Sequence, residues 1–198
     1  MRMHRILAAL AVLLVTAAAA QAATGKRAEH WKVWWGQSTI SATGATLWSE
    51  TPTSPDETHS SLVTTSSTWG DQTISFTTTT LDQLREGSAP NPWEVGWVMF
   101  HFRDLANYYW FMVKTNGFEL GKKQGSDTQI FLHTGALPAL TVGDSVKVTV
   151  RVRGARIRVW VAGTQVVDYT DPNPLPRGSV GLYEEDSRAS FDSLALRA

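Results

Sequence analysis

The sequence contains no cysteine, so no disulfide contributes to its stability. It has no basic excess either, since 18 Lys and Arg residues balance 18 Asp and Glu residues, and this argues against a nucleic-acid partner. Helical periodicity is nearly absent after the first 22 residues, and no later apolar run approaches the roughly 18 residues of a membrane span. These absences argue against a disulfide-rich scaffold, a helical bundle and an internal membrane segment.

The first 22 residues are organised like a secretory signal peptide. A short basic segment is followed by an apolar stretch over residues 6–20, and an A-x-A site ends at Ala22. The apolar stretch is shorter than a membrane span, so a membrane anchor is the weaker interpretation. We expect a signal peptide over residues 1–22, cleaved near Ala22, and a secreted protein whose residues 23–198 form one domain.

Alternation of apolar and polar residues dominates the rest of the chain. It is clearest over residues 145–153, where valines alternate with polar residues and a Gly154-Ala155 turn follows. Because side chains alternate across a strand, this pattern predicts strands with one buried and one solvated face. Many short strands of this kind predict an all-β fold, a two-sheet antiparallel jelly-roll sandwich.

The predicted strands are bounded by Gly, Pro, Asn and Asp residues. One segment, 81–86, instead predicts a helical turn, and two or three strands are expected within residues 31–48. The remaining predicted strands lie near residues 58–65, 72–80, 95–103, 108–115, 118–123, 129–133, 145–153, 156–161, 165–169, 178–184 and 189–196.

Residues 91–123 contain the side chains best suited to ligand binding. If Val98, Phe100 and Phe102 face the core, the residues between them share the opposite face with residues of the next two strands. This predicted patch combines indoles, an imidazole, cations and a carboxylate: Trp97, His101, Arg103, Trp110, Lys114, Glu119 and Lys123. Indole faces stack on the C–H faces of sugar rings, and charged groups bind the hydroxyls. The patch therefore predicts a carbohydrate-binding face.

Two kinds of catalysis fit such a patch. A glycosidase needs two neighbouring carboxylates, and the candidates are Glu119 and Glu94, with Glu57 as a further acidic residue. A polysaccharide lyase needs a base, often His or Tyr, and a cation that neutralises the substrate carboxylate. The candidates for these roles are His101, His59, Tyr108, Arg103 and Lys114. Glu57 and His59 are also candidate substrate-binding residues.

Two other polar clusters are interpreted as solvated surface. Glu184, Glu185 and Asp186 follow a predicted strand and have the character of an exposed turn into the last strand. A second cluster on the other strand set is interpreted as an outer face; it consists of Arg151, Arg153, Arg158 and Trp160. Neither cluster is assigned to the site.

From Trp93 onward the chain resembles the concanavalin A-like, laminin G-like jelly-roll superfamily. The resemblance rests on V-R-V-R-G-A-R-I-R-V-W-V-A-G over residues 150–163, G-S-V-G-L-Y-E-E-D-S over 178–187 and F-D-S-L over 191–194. The segments N-P-W-E-V-G-W at 91–97 and N-G-F-E-L-G-K at 116–122 are similar to secreted bacterial relatives of the 3-keto-disaccharide hydrolase-like domain.

The resemblance implies sugar binding on a concave sheet. Members of the superfamily include lectins, glycosidases and lyases, and many carry structural calcium. Calcium is the implied cofactor and Asp192 the implied ligand, although Ser193 stands where relatives often have a second Asp. The glycosidase signature E-x-D-x-x-E is missing. We expect a protein that binds a poly- or oligosaccharide, either cleaving it as a glycoside hydrolase or polysaccharide lyase, or acting as a non-catalytic lectin-like or cell-envelope interaction module.

Overall fold

The computed structural model describes residues 30–198, and the predicted signal peptide lies outside these residues. The described residues form fourteen strands. In chain order they are β1 (Trp31–Trp35), β2 (Gln37–Ser41), β3 (Gly44–Trp48), β4 (Ser60–Thr65), β5 (Gln72–Gln83), β6 (Gly96–Asp104), β7 (Asn107–Lys114), β8 (Gly117–Gln124), β9 (Ile130–Gly135), β10 (Ser145–Arg153), β11 (Arg156–Val161), β12 (Thr164–Thr170), β13 (Ser179–Glu185) and β14 (Ser187–Arg197).

The strands form two antiparallel sheets of seven strands each. The front sheet has the order β1-β4-β13-β6-β7-β8-β9, and the back sheet has the order β12-β11-β10-β5-β14-β3-β2. Neighbours in space are often distant in sequence, and β13 pairs with both β4 and β6. This two-sheet jelly-roll sandwich confirms the predicted fold class.

The alternation seen in the sequence builds the core between the two sheets. Along β10 the four valines are buried, whereas Lys147, Arg151 and Arg153 are exposed. The valines pack in one cluster with large front-sheet side chains such as Phe100 and Phe111. Each fully buried side chain of this size contributes about 1.5–3 kcal/mol. Apolar burial therefore takes the role that disulfides have in many small secreted domains.

The front sheet is buried on its outer face as well. Along β7, Tyr109, Phe111 and Val113 face the core, while the alternate side chains point away from the back sheet and are buried too. A second cluster of buried side chains covers this outer face; we call it the outer layer, and it consists of Leu62, Val95, Trp97, Met99, Phe102, Tyr108, Trp110 and Met112. On the outer face of the front sheet, the strands under this layer are therefore shielded from solvent by its side chains.

A β-bulge in β6 corrects the predicted orientation of two residues. His101 has a left-handed φ of 50°, and the β6–β7 register shifts between Phe100 and Asp104. A bulge moves the following residue to the other face of the strand. Phe102 consequently joins the outer layer, and the His101 ring nitrogens lie 3.0 Å from the Leu175 carbonyl oxygen and 2.8 Å from that of Gly70. His101 is not part of the patch.

The helical turn predicted over residues 81–86 is wrong. Leu81 to Gln83 continue β5, where Gln83 pairs with Ser187 of β14, and the Leu84 N–H donates to the Asp186 carbonyl oxygen at 2.8 Å. Pairing with β14 thus outweighs the local preference for a turn. Within the described part of the chain, no helix has the length and apolar character needed to cross a membrane.

Candidate functional site

Trp110 lies at the centre of the outer layer and is fully buried, with 0% of its surface exposed. Its indole lies over Gly121 of β8, where a Cβ would come within 2.2 Å of Trp110 Cζ2. Neighbouring rings surround it, with centroids 6.2 Å away for Trp97, 6.0 Å for Tyr108 and 6.1 Å for Phe131. Trp110, which was predicted to bind substrate, therefore forms the buried floor of the outer layer. Its ring has no accessible surface on which a ligand could stack.

A cleft of about 340 Å³ opens beside this floor. We call it the front cleft, and it is lined by Trp93, Trp97, Met112, Lys114, Glu119, Gln129, Phe131 and Glu185. Two of its walls are aromatic side chains that remain accessible, since Trp93 is 43% and Phe131 58% exposed. The cleft thus combines accessible aromatic surfaces with an amide, a cation and two carboxyl groups.

Glu119 is held in place by two partners. The Trp110 Nε1–H donates to Glu119 Oε1 at 3.0 Å, and Lys114 Nζ lies 3.2 Å from Glu119 Oε2. Because both oxygens are engaged, the carboxylate is oriented before any ligand arrives. Lys114, Glu119 and Trp97 were predicted for one face from the sequence, and the structure brings all three to the front cleft.

Glu185, at the end of β13, is the titratable group of the cleft with a strongly altered pKa. Burial raises the pKa of Glu185 to about 7, and repulsion from the nearby carboxylates of Asp186 and Glu94 adds to this, while Arg85 and Lys123 oppose it. A carboxyl group that titrates near neutrality is suited to taking up and releasing protons. Glu185 was interpreted from the sequence as part of a solvated turn, and this was wrong.

The other two residues of that acidic cluster are buried as well. Asp186 is 1% exposed and Glu184 0% exposed. Asp186 pairs with Arg85 Nη2 at 2.5 Å, and Arg85 Nε donates to Glu94 Oε1 at 2.6 Å. Glu94, predicted to be catalytic, is thus engaged in a buried ion-pair network and does not line the front cleft.

Glu184 lies behind Glu185 in the same buried region. Its Oε2 accepts hydrogen bonds from the backbone N–H and the hydroxyl of Ser187 at 2.9 and 3.2 Å, and its buried Oε1 has no partner. Burial raises the pKa of Glu184 to about 8, against the hydrogen bonds from Ser187, which lower it. The folded protein therefore keeps this group protonated at neutral pH.

The raised pKa of Glu184 predicts a pH-dependent contribution to stability. Between about pH 5 and 8 the folded state holds a proton that the unfolded chain has released, so stability falls as pH rises through this window. Glu184→Gln cannot titrate, so relative to this variant the wild type should lose about 1 kcal/mol or more between pH 5 and 8. Urea denaturation of both proteins at pH 5, 6.5, 8 and 9 measures this; parallel pH curves would contradict it.

Glu57 and His59 lie away from the front cleft, just before the first residue of β4. The Thr53 N–H donates to Glu57 Oε2 at 2.7 Å, and this bond lowers the pKa of Glu57. His59 Nε2 is 3.2 Å from Glu57 Oε1, and the His59 backbone N–H donates to Asp186 Oδ1 at 2.6 Å. Both residues are therefore positioned close to the buried acidic cluster.

Two predicted residues have no role in the front cleft. Arg103 is exposed beyond the bulge of β6. Asp192 is exposed on β14, and its Oδ2 accepts a hydrogen bond from the Ser190 hydroxyl at 2.9 Å. Among residues 30–198, no group of three or more His, Cys, Asp or Glu side chains is arranged to hold a metal ion. The side chains around Asp192 thus do not supply the six or more oxygens that calcium requires.

Several residues of the front cleft were missed from the sequence. Trp93 lies in the turn before β6, outside any predicted strand. Phe131 of β9 pairs with Gly121 of β8. Because β8 and β9 are consecutive in the sequence, an assumed hairpin between them could have placed Phe131 beside the predicted patch. Glu185 continues the outward alternation from Tyr183, but its place beside β6 results from a long-range pairing. Gln129 lies just before β9.

The described residues form a jelly-roll sandwich, and several solved structures share this fold. A solved structure described as carbohydrate binding module CBM66 from Bacillus subtilis has a TM-score of 0.67 at 18% identity, covering 85% of this chain and 95% of that one. A Bacillus subtilis protein of unknown function with a galectin-like fold has a TM-score of 0.59 at 12% identity, covering 84% and 88%. The VIP36 exoplasmic/lumenal domain, in a Ca²⁺- and mannose-bound form, has a TM-score of 0.58 at 11% identity, covering 84% and 82%.

Residues 20–197 match the model of the 3-keto-alpha-glucoside-1,2-lyase-like domain. The chain belongs to this family, which confirms the resemblance seen in its sequence. None of the curated proteins matches the chain in sequence.

Proposed function

We propose that this protein binds a saccharide in the front cleft. The main support for this proposal is that two accessible aromatic side chains, Trp93 and Phe131, line the cleft. The cleft is also lined by the polar side chains of Lys114, Glu119 and Gln129. Aromatic walls fit the C–H faces of sugar rings, and the polar groups can bind hydroxyls. The cleft volume of about 340 Å³ is within the usual range of small-ligand sites.

The class of ligand is further supported by the comparisons. The fold is shared with a carbohydrate-binding module and with a lumenal domain solved with mannose. The leader predicted over residues 1–22 supports a function outside the cytoplasm, where a poly- or oligosaccharide would be met. N-terminal sequencing of the exported protein tests cleavage near Ala22.

Truncating the aromatic walls should weaken saccharide binding. We expect Trp93→Ala and Phe131→Ala each to raise the Kd by about 10-fold or more, since each removes an accessible stacking surface. Titration calorimetry of the purified protein against a panel of soluble poly- and oligosaccharides measures this. Trp160→Ala is the matched control, because that indole lies on the back sheet between Arg151 and Arg158. Equal effects of the cleft and control variants would contradict the proposal.

We further propose that the cleft performs an elimination on a 3-keto-α-glucoside. The observation that favours this is the pKa of Glu185, raised to about 7. A carbonyl at C3 acidifies the proton on C2, and the Glu185 carboxylate would take this proton. The C–H electrons pass into an enolate of the C3 carbonyl, which the Lys114 ammonium would stabilise. Collapse of the enolate forms the C1–C2 double bond as the bond from C1 to the leaving oxygen breaks. The leaving oxygen takes a proton from water, and the hydroxide so formed removes the proton from Glu185, which restores the carboxylate.

Elimination by one base fits the cleft better than hydrolysis by two carboxylates. Glu185 is on β13 and Glu119 on β8, three strands away in the front sheet. Three strand spacings place their backbones about 14 Å apart. A two-carboxylate mechanism also needs a second carboxylate that is free to react, and both oxygens of Glu119 are already engaged by Trp110 and Lys114. A single titrating carboxylate is sufficient for elimination.

The elimination is tested by incubating the protein with a 3-keto-α-glucoside. The expected products are the free aglycone and a sugar-derived enone, whose ultraviolet absorbance reports C1–C2 double-bond formation. A panel of unoxidised polysaccharides, assayed for reducing ends, tests the hydrolase alternative. Saccharide binding with no product from either panel would leave the non-catalytic lectin-like function.

A further inference from the structure

Four arginines lie on the outer face of the back sheet, all on the hairpin of β10 and β11. Arg151 is directly opposite Arg158 in the antiparallel register, and Arg153 is directly opposite Arg156. All four point away from the core, because the residues that alternate with them are buried. We call these four residues the arginine face.

The arginine face is an unfavourable arrangement for a surface that has only to be solvated. Side chains that are directly opposite on two antiparallel strands have Cβ atoms about 4.5–5.5 Å apart, and like charges at this separation destabilise the sheet. Two such pairs follow each other here, although the whole chain has as many acidic as basic residues. A bound anion would remove the repulsion.

One of the four arginines already has an acidic partner. Arg156 Nε and Nη2 donate to the two carboxylate oxygens of Asp168 at 2.7 and 2.6 Å. Arg158 is opposite Asp168 in the β11–β12 register, but both oxygens of this carboxylate are engaged by Arg156. Among residues 30–198, the other three arginines of the face form no salt bridge. Three guanidinium groups can therefore bind an anion from outside.

Trp160 holds two of these guanidinium groups in place. The guanidinium carbons of Arg151 and Arg158 each lie 5.7 Å from the centroid of its indole, within the range of cation–π attraction. Side chains that are ordered before binding lose less entropy when a ligand arrives. Hydroxyl groups continue the same surface, since Thr149 is opposite Trp160 and Ser75 is opposite Thr149. The ordered cations thus lie beside groups that can bond the hydroxyls of a sugar.

We propose that the arginine face binds an acidic polysaccharide, a polymer whose sugar residues carry carboxylate groups. The pair of Arg156 and Asp168 shows how a carboxylate fits here, with two parallel bonds to one guanidinium. Same-face residues are about 5 Å apart across the strands and about 7 Å apart along one strand, so successive carboxylates of a polymer can each meet a guanidinium. This site is on the sheet opposite the front cleft and does not depend on the proposed function.

Two other anionic partners fit the arginine face less well. A lipid surface is bound through apolar side chains that insert beside the cations, but in the described part of the chain the exposed large apolar side chains all lie outside β10 and β11. Binding of duplex DNA at physiological salt requires many phosphate contacts, and three unpaired guanidinium groups are few for this. A polysaccharide gains further bonds from its hydroxyls.

The proposal is tested with dextran, carboxymethyl-dextran of the same chain length, and duplex DNA. Fluorescence anisotropy of the labelled polymers gives each Kd at low and at physiological salt. The main variant combines Arg151→Gln with Arg158→Gln. Its matched control combines Lys32→Gln with Arg103→Gln, which removes the same charge from exposed positions of the front sheet. A second variant, Thr73→Glu, removes no cation and places a carboxylate directly opposite Arg151.

We expect the wild type to bind carboxymethyl-dextran about 10-fold or more tightly than dextran or DNA. The double arginine variant should raise the Kd for carboxymethyl-dextran by about 10-fold or more and make it less dependent on salt, because fewer counterions are exchanged. Thr73→Glu should raise the same Kd, and the front-sheet control should leave it nearly unchanged. Binding of neutral saccharides should not change in any variant, so Trp160→Ala remains a control for the front cleft when the saccharide is neutral.

Three results would overturn the proposal. Equal affinity of the wild type for dextran and carboxymethyl-dextran would show that carboxylates are not recognised. Equal weakening by the two double variants would show an effect of net charge without a site. Binding of DNA as tight as that of carboxymethyl-dextran would show a surface that attracts any polyanion.

Discussion

Replacement of Arg85 by methionine is expected to lower the free energy of unfolding by about 3–5 kcal/mol, the usual cost of removing one partner from a buried ion-pair network. The Arg85 side chain is only 3% exposed. It donates to Glu94 and Asp186, and also to the backbone carbonyl oxygens of Ser54 and Pro55 at 3.3 and 3.2 Å. Without the guanidinium, two buried carboxylates would face each other uncompensated.

Urea denaturation followed by tryptophan fluorescence measures this loss. Arg156→Met is the matched control, because Arg156 also pairs with a carboxylate, that of Asp168 at 2.6 Å, but its side chain is 52% exposed. Exposed pairs of this kind contribute about 0–1 kcal/mol. The triple variant with Glu94→Gln and Asp186→Asn should recover part of the stability lost by Arg85→Met. A loss below about 1 kcal/mol for Arg85→Met would mean that the network carries little of the fold's stability.

Replacement of Glu185 by glutamine is expected to lower kcat for the proposed elimination by about 10²–10⁴-fold, the typical contribution of a general base. The amide keeps the size of the side chain but cannot take up the C2 proton. Saccharide binding should change little, since the aromatic walls Trp93 and Phe131 remain. Separate measurements of kcat and Kd therefore distinguish loss of a base from loss of the site.

The pH dependence gives a second readout of the same group. The base must be ionised, and burial raises the pKa of Glu185 to about 7, so kcat/KM of the wild type should rise as pH increases through about 7 and level off above it. Glu86→Gln, which removes an exposed carboxylate outside the cleft, should preserve both the rate and this profile. A wild-type rate retained in Glu185→Gln would exclude Glu185 as the base.

The parts of the fold that depend on local alternation could be predicted from the sequence. Residues 145–153 were placed in β10 with the correct buried face, and Trp97, Lys114 and Glu119 were placed on one face of the front sheet. A period of two is a property of neighbouring residues, so it is readable from a single sequence. The expected strands within residues 31–48 were also found, as β1, β2 and β3.

Other parts of the site depend on events that alternation does not encode. The bulge at His101, which has a left-handed φ, turns the His101 and Phe102 side chains to the faces opposite to those predicted. The local sequence pattern does not indicate this bulge. The acidic residues Glu184 and Glu185 were predicted to form a solvated turn because acidic residues are usually exposed. They are buried because β13 lies between β4 and β6 and because Arg85 pairs with the neighbouring Asp186. The strands β4 and β6 and Arg85 are all distant from β13 in the sequence.

The position of β13 also determines when the site can form during folding. His59 and Asp186, whose hydrogen bond joins the two ends of this region, are 127 residues apart in the chain. Closing so long a loop is slow, and strands of high sequence separation tend to pair late. The front sheet can therefore complete its centre only after nearly the whole domain has been synthesised. A nascent chain that ends before β13 would expose the β4 and β6 edges and lack Glu185, so the front cleft would still be incomplete.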